Sequence, residues 1–189
     1  MATQTHKTAI VWVPPEDVWE PIQAIRREHD RQFRRWMPHV TLIYPFRPRA
    51  AFDRLAGRLG EAVAGVEPFE TELAEFRWFK HSRDSFTVWL APEPAEPLAR
   101  LQNALQSVAA DCDAVRRFVT GFTPHLSVGQ TRDSGRLEGL VAALQADWAP
   151  LRCRVERIAL LWRNDPPDDV FRVDRQLALG PTGGPPAGA

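Results

Sequence analysis

The 189-residue chain carries 24 basic and 24 acidic side chains and therefore has no formal net charge. This balance argues against a protein held to long nucleic acid mainly by phosphate neutralisation, and a hydrophobic content of 44% is ample for the core of one domain. Two cysteines without a Cys-x-x-Cys spacing predict neither a disulfide framework nor a structural zinc site, and no apolar run approaches the roughly 18 residues of a membrane span. We expect an intracellular, cytoplasmic protein with reduced thiols.

Strands and helices are predicted to alternate through the first half of the chain. A β-rich run over residues 7–13 stops at two prolines, and Pro15 opens a helix that the charged residues 26–30 end. A strand around His39 follows. A second helix ends at Gly65, because apolar residues recur before it at helical spacing. These apolar residues are Phe52, Leu55, Leu59 and Val63.

The second half begins with a predicted β-hairpin made of residues 69–79 and 86–90. A third amphipathic helix follows over residues 98–108, and after a strand at His125 a fourth helix is capped by the residues at 133 and 134. The possible caps are Asp133 and Ser134.

The predicted chain ends in a closing pair of strands, over residues 151–162 and 170–179. Residues 180–189 are rich in Gly and Pro and are predicted to form a disordered tail, which leaves one domain over residues 1–179. The element order is close to a tandem duplication, so we expect two α+β lobes.

One pentapeptide pattern occurs once in each half of the chain. Residues 38–42 and 124–128 both read Pro-His-apolar-hydroxyl-apolar. Because alternate residues of a strand share a face, the His and the hydroxyl residue of each copy project together while the apolar residues face the core. Two such strands side by side would present two imidazoles and two hydroxyls to one cavity. These side chains are His39, Thr41, His125 and Ser127.

The paired motifs resemble the His-x-Thr/Ser motifs of the two-histidine (2H) phosphoesterase superfamily, and most of all those of its 2′,5′ RNA ligase-like cyclic phosphodiesterases. The resemblance implies a bilobal α+β fold with two pseudo-symmetric lobes of antiparallel sheet, flanking helices and a central cleft. It also implies a hydrolase that needs no metal or cofactor. Its expected partners are RNA ends or small nucleotides bearing a cyclic or 2′,5′-linked phosphate, without a membrane or an obligate protein partner.

The chemistry of such a site needs a base to deprotonate water and an acid to protonate the departing ribose oxygen. Imidazoles with a pKa near 6.5 serve in either role at neutral pH, so His39 and His125 are the predicted pair, with the choice of acid left open. Thr41 and Ser127 would donate hydrogen bonds to the non-bridging oxygens. By resemblance to the family, the product is a 2′-phosphate. The predicted substrate-binding residues are Trp36, Tyr44 and Phe46 as platforms for a base, with Arg35 and Gln130 near the phosphate.

A cluster of basic residues flanks the first motif and has two possible roles. It is either a solvated helix end balanced by Glu28 and Asp30 or a guide for phosphate beside the site. Its members are Arg26, Arg27, Arg31, Arg34, Arg35, Arg47 and Arg49. Some members of the family carry a basic residue shortly after the second motif, where this chain has Gln130 and, further on, Arg132.

Three alternatives remain open from the sequence. The first is a nucleotide-binding module that keeps the fold without turnover. The second is a metal enzyme in which His81, Asp84 or Cys153 joins the two histidines, although no metal-binding spacing marks such a site. The third is the joining of RNA ends through a 2′,5′ bond, which is the reverse of the same reaction.

Overall fold

The computed structural model describes residues 3–116 and 121–180, which contain eight β-strands and four α-helices. All eight strands join one antiparallel sheet in the order β6-β3-β4-β5-β2-β1-β7-β8. The strands are β1 (Thr8–Trp12), β2 (Val40–Ile43), β3 (Phe69–Ser82), β4 (Ser85–Glu93), β5 (Leu126–Thr131), β6 (Leu151–Val155), β7 (Arg157–Trp162) and β8 (Arg172–Ala178). The helices are α1 (Trp19–His29), α2 (Phe52–Ala64), α3 (Ala95–Val108) and α4 (Ser134–Ala146). No helix in these ranges is both long and apolar enough to cross a membrane.

The sheet consists of two halves of four strands, and the two motif strands meet where the halves join. One half is β6-β3-β4-β5 and the other is β2-β1-β7-β8. The pairing between β2 and β5 is confined to Val40 opposite Leu126. Beyond that pair the strands diverge, and the end of α1 lies against β5 where His29 approaches Gly129. The predicted α+β architecture with antiparallel lobes and flanking helices is therefore confirmed.

All four helices pack on the same face of the sheet. Ile22, Leu59, Leu101 and Leu137, one from each helix, belong to a single apolar cluster with the buried residues of the central strands. A second, smaller cluster on the other face contains no helical residue and is centred on Ala9, Val11, Ala159, Leu161 and Phe171. We call this helix-free side the open face.

The predicted helices agree closely with the structure because their apolar spacing is unambiguous. α2 ends before Gly65, and Asp133 caps α4 by accepting hydrogen bonds from the backbone N–H groups of Gly135 and Arg136. The predicted hairpin is formed by β3 and β4, with register running from Glu72 opposite Glu93 to Ser82 opposite Ser85.

The prediction of one strand over residues 151–162 is wrong. The chain breaks at Glu156 into β6, which pairs with β3 at one edge of the sheet, and β7, which lies between β1 and β8 in the other half. The physical reason is visible in the pattern of burial. β6 buries alternate residues, as an edge strand covered on one face does, whereas four consecutive residues of β7 are buried because both of its faces are covered.

The predicted tail falls almost wholly on residues 181–189, which lie outside the described residues. Gly180 itself is part of the fold: its N–H donates to the carbonyl oxygen of Val66 at 2.8 Å, and its φ of 77° suits glycine.

Candidate functional site

The two motif strands place their His and hydroxyl side chains on the open face. Val40, Leu42, Leu126 and Val128 are fully buried against the helices, as predicted, so the residues that alternate with them point the other way. Since Val40 lies opposite Leu126 in an antiparallel pair, His39 lies opposite Ser127 and Thr41 lies opposite His125. In register, each histidine is thus next to the hydroxyl residue of the other motif. In this register the two histidines are diagonal neighbours.

The same backbone contact orients both imidazoles. Nδ1 of His39 lies 2.8 Å from the carbonyl oxygen of Met37, and Nδ1 of His125 lies 2.8 Å from that of Thr123. A carbonyl oxygen only accepts hydrogen bonds, so Nδ1 carries the proton in each ring. Nε2 is then the nitrogen left to exchange a proton with a ligand. In both copies the carbonyl belongs to the residue before the motif proline.

Burial lowers the pKa of both histidines. The pKa of His39 falls to about 4, mainly through desolvation and to a lesser extent through the positive charges of Arg26 and His125, while its bond to the Met37 carbonyl acts in the opposite direction. Desolvation also lowers the pKa of His125, with a smaller contribution from His81. At neutral pH both imidazoles of the free protein are therefore neutral, with a lone pair on Nε2.

An aromatic sandwich closes the side of the site next to His39. The Trp36 indole stacks on His39 with ring centroids 4.5 Å apart and on Phe171 with centroids 3.5 Å apart. The His39 and Phe171 rings would overlap if both lay on the same face of the Trp36 indole, because both are so close to its centroid. They therefore lie on opposite faces. The Trp36 carbonyl oxygen also accepts a hydrogen bond from the buried Arg26 side chain at 2.8 Å.

The surroundings of His125 are also aromatic but are arranged differently. Phe79 meets the imidazole edge to face, with centroids 4.9 Å apart, and stacks on Trp89 at 4.7 Å. Trp89 lies opposite Ser127 across β4 and β5, so its side chain is on the open face as well. A pocket of about 200 Å³ opens here, and both Thr41 and His125 line it.

Comparison with known proteins places this geometry in a family. The family model of the 2′-5′ RNA ligase superfamily matches residues 14–167, which include both motifs. The chain belongs to this superfamily. A relative in Geobacillus kaustophilus, named "Putative phosphoesterase", is 25% identical over 160 residues, covering 83% of this chain and 88% of the relative.

Solved structures of similar fold agree with membership of the 2′-5′ RNA ligase superfamily. TT0787 of Thermus thermophilus has a TM-score of 0.63 at 22% identity, over 94% of this chain and 100% of its own. Apo LigT of Escherichia coli has a TM-score of 0.63 at 19% identity, over 94% of this chain and 99% of its own. At these identities the likeness concerns the fold alone.

The aromatic residues predicted to bind a base occupy other places in this superfamily member. Phe46 is fully buried in the helix-side core, packs on Phe52 and does not reach the open face, so the prediction for it is wrong. Both faces of Trp36 are covered, so it has no free face for a base. Tyr44 packs edge-on against Trp36 at 5.7 Å and donates a hydrogen bond to the His6 carbonyl oxygen at 3.2 Å.

The polar residues predicted to bind phosphate have protein partners instead. Arg35 forms an ion pair with the buried carboxylate of Asp169 at 2.5 Å. Gln130 accepts a hydrogen bond from the backbone N–H of Arg31 at 3.0 Å and donates one to Asp30 at 3.0 Å. The Gln130 amide therefore connects β5 to the end of α1. This contact lies where β2 and β5 are no longer paired and the residues after α1 lie beside β5.

Most of the basic cluster is neutralised by acidic neighbours. Its ion pairs are Arg26 with Asp30, Arg27 with Glu20, Arg34 and Arg35 with Asp169, Arg47 with Asp111, and Arg49 with Asp174. Arg49 also lies over the Trp162 ring at 3.7 Å. These contacts agree better with a structural role for the cluster than with a guide for phosphate.

The third ligand suggested for a metal site is not near both histidines. Cys153 is buried on β6, three strands away from β5, and faces the helices. His81 is on the pocket side, where its Nε2 lies 2.9 Å from the Thr87 hydroxyl. Within residues 3–116 and 121–180, no three His, Cys, Asp or Glu side chains come together in a group that could hold a metal ion.

Several residues of the site were not predicted from the sequence. Phe79 and Phe171 come from segments distant in sequence from the histidine motifs, so only the fold brings them to the site. Phe122 lies three residues before His125, so its proximity to the second motif was visible in the sequence although its role was not. The two carbonyl contacts had a visible signal, because a proline separates the accepting residue from the His in both motifs. This proline favours an extended conformation for the residue before it.

Proposed function

We propose that the protein is a metal-independent phosphodiesterase that opens 2′,3′-cyclic phosphates on RNA or nucleotide ends to 2′-phosphates, or cleaves a 2′,5′-phosphodiester. The observation that carries this proposal is the arrangement of His39 and His125. Each has Nδ1 occupied by a carbonyl and Nε2 left for proton transfer, and each lies across from a hydroxyl. Membership of the 2′-5′ RNA ligase superfamily supports the class of reaction.

In the proposed reaction one neutral imidazole takes a proton from water through Nε2 as the water oxygen bonds to phosphorus. The bond from phosphorus to the 3′ oxygen breaks, and the other imidazole, in its protonated form, gives its proton to that oxygen. Substrate binding favours this protonation, because the negative phosphate raises the pKa of a nearby imidazole. Thr41 and Ser127 would stabilise the charge on the non-bridging oxygens.

The ligands of a structural neighbour support a nucleotide as the substrate class. Escherichia coli LigT has been crystallised with phosphate, with ATP and with 3′-AMP. For this chain the same class is a proposal that rests on the two-histidine site.

Hydrolysis of a short RNA ending in a 2′,3′-cyclic phosphate, measured with EDTA present, tests the proposal. We expect turnover to a 2′-phosphate with a bell-shaped dependence of kcat on pH, and a loss of about 10²–10⁴-fold when either His39 or His125 is replaced by Ala. Replacing Thr41 or Ser127 by Ala should lower the activity without abolishing it. The expected loss is about 2–4 kcal/mol of transition-state stabilisation.

His6→Ala is the matched control, because His6 is an exposed histidine outside the motifs and its variant should keep wild-type turnover. Wild-type rates in a folded His39→Ala or His125→Ala protein would refute the acid–base pair. Loss of activity on adding EDTA would refute the metal-independent mechanism.

A further inference from the structure

The pocket beside His125 has the lining of a site for a flat apolar ring. Its volume is about 200 Å³, and six of its described lining residues are Thr41, Phe79, His81, Val115, Phe122 and His125. Thr41 and His125 belong to the proposed site of phosphate chemistry, whereas Phe79, Val115 and Phe122 extend the pocket away from it with apolar surface. A ligand held at the histidines therefore has an aromatic-lined space next to it.

Phe79 has one ring face that no other aromatic ring of the described residues covers. Its other face stacks on Trp89, which is 4% exposed. The centroids are 4.7 Å apart for Phe79 and Trp89, 4.9 Å for Phe79 and His125, and 5.9 Å for Trp89 and His125, so the lines from Phe79 to the other two rings meet at less than a right angle. His125 therefore lies beside the Phe79 ring and not over the face opposite Trp89. Trp89 packs on one face of the Phe79 ring, and Phe79 is half-buried and lines the pocket.

The other side of the site offers no comparable face. Trp36 is covered on one side by His39 and on the other by Phe171, and the edge of Tyr44 packs against it. An aromatic ligand ring can thus stack on the His125 side of the site but not on the Trp36 indole. This asymmetry gives a bound nucleotide a direction.

We propose that the pocket lined by Phe79 and Phe122 is a nucleobase subsite, so that the nucleoside carrying the cyclic phosphate lies on the His125 side with its base stacked on Phe79. This inference rests on the proposed function for the position of the phosphate. The ligand class is a nucleoside 2′,3′-cyclic phosphate or its 2′-phosphate product. Stacking on an aromatic ring tolerates any base, so the subsite should bind purines and pyrimidines alike.

Calorimetric titration with adenosine 2′-monophosphate and, separately, with inorganic phosphate tests the subsite. Phe79→Leu keeps an apolar side chain but removes the ring, so it should weaken binding of the nucleotide about 10–100-fold while binding of phosphate is unchanged. Phe122→Leu should weaken nucleotide binding in the same direction, and Phe79→Tyr should bind as the wild type does.

Trp78→Leu is the matched control. Trp78 is the neighbouring aromatic residue on β3, it is 44% exposed, and it pairs with the core residue Val88, so it lies on the face opposite the pocket. Its variant should keep wild-type affinity for both ligands.

Unchanged nucleotide affinity in both Leu variants, or no binding of the nucleotide by the wild type, would overturn the subsite. An equal loss of phosphate and nucleotide affinity would overturn it too, because the effect would then not concern the base. These results are separable from a failure of the proposed function. Nucleotide binding that depends on Phe79 without any hydrolysis would keep the subsite and reject the reaction, whereas hydrolysis that is insensitive to Phe79 would do the reverse.

Discussion

His39 and His125 occupy equivalent positions, immediately before β2 and β5, but have different aromatic neighbours. The His39 ring is nearly parallel to Trp36, at 18°, whereas the His125 ring is nearly perpendicular to Phe79, at 88°. Parallel stacking covers a face of the His39 ring, and desolvation is the largest cause of its lowered pKa. The same short motif thus acquires two environments from the residues that pack around it.

The lowered pKa of His39 makes stability depend on pH. The unfolded chain binds a proton at this residue below a pKa near 6.5, whereas the folded protein binds it only below about 4. Between these values the unfolded state holds more protons, so the free energy of unfolding falls as the pH is lowered from 6.5 to 4. Complete loss of this contribution amounts to at most about 3 kcal/mol.

His39→Gln removes the titrating group, so its free energy of unfolding should fall less steeply than that of the wild type between pH 6.5 and pH 4. Urea denaturation at a series of pH values measures the difference. Values at pH 8 are the internal reference, because the imidazole is then neutral in both states. Parallel curves for the two proteins across this range would contradict the lowered pKa.

At the scale of elements, α1 links β5 to the segment that precedes β2. Its end carries the buried ion pair of Arg26 with Asp30, in which the side chains are 2% and 3% exposed. Arg26 also binds the Trp36 carbonyl oxygen, and Asp30 accepts from Gln130 on β5. One polar network therefore joins α1, β5 and the indole that packs on His39.

Asp30→Asn should destabilise the protein by about 3–5 kcal/mol, because it leaves the buried Arg26 charge without its partner. Chemical denaturation measures this cost. Glu96→Gln is the comparison, since it breaks the exposed pair with Arg100 on α3 and should cost less than about 1 kcal/mol. An equally small loss of unfolding free energy in both variants would contradict a stabilising role for the buried ion pair between Arg26 and Asp30.

A second contact between α1 and β5 depends on glycine. A Cβ atom added at Gly129 would lie 2.7 Å from Cβ of His29 and 3.2 Å from its carbonyl oxygen. Gly129→Ala should therefore displace the end of α1 and cost about 1–3 kcal/mol, as overpacking of a close contact does.

Thermal and urea denaturation of Gly129→Ala should be compared with Gly139→Ala. Gly139 lies within α4 with no heavy atom near the site of the new methyl group, so that variant should gain about 0.5–1 kcal/mol from helix propensity. Equal stabilisation by both substitutions would contradict a tight contact between α1 and β5.

At the scale of the whole molecule, the features predictable from the sequence are those with a local pattern. The helices, the β3–β4 hairpin and the inward residues of the motif strands follow from apolar periodicity, and the strand assignment of both motifs allowed their shared face to be predicted. Long-range packing left no such signal. Nothing near Phe79 indicates that it meets His125, and nothing around Gln130 indicates that its amide binds the end of α1.

The prediction at residues 151–162 failed for a related reason. Local β propensity is high on both sides of Glu156, and only a change from alternating to continuous apolar residues marks the boundary. The place of each piece in the sheet is decided by partners far away in sequence, Thr71 for Cys153 on β6 and Ala9 for Leu161 on β7.

This placement of β6 and β7 has a consequence for synthesis on the ribosome. A nascent chain that ends after α4 already contains all four helices and both histidine strands, yet β1 lacks its neighbour β7 and β3 lacks its neighbour β6. Both halves of the sheet then present an unpaired strand edge, which is the kind of surface that aggregates or binds chaperones. The β6-β3-β4-β5 half is one continuous segment and is complete once β6 has been made, whereas the other half joins β1 and β2 to β7 and β8 from the opposite end of the fold. The half that contains the His39 strand therefore stays incomplete until β7 and β8 have been made.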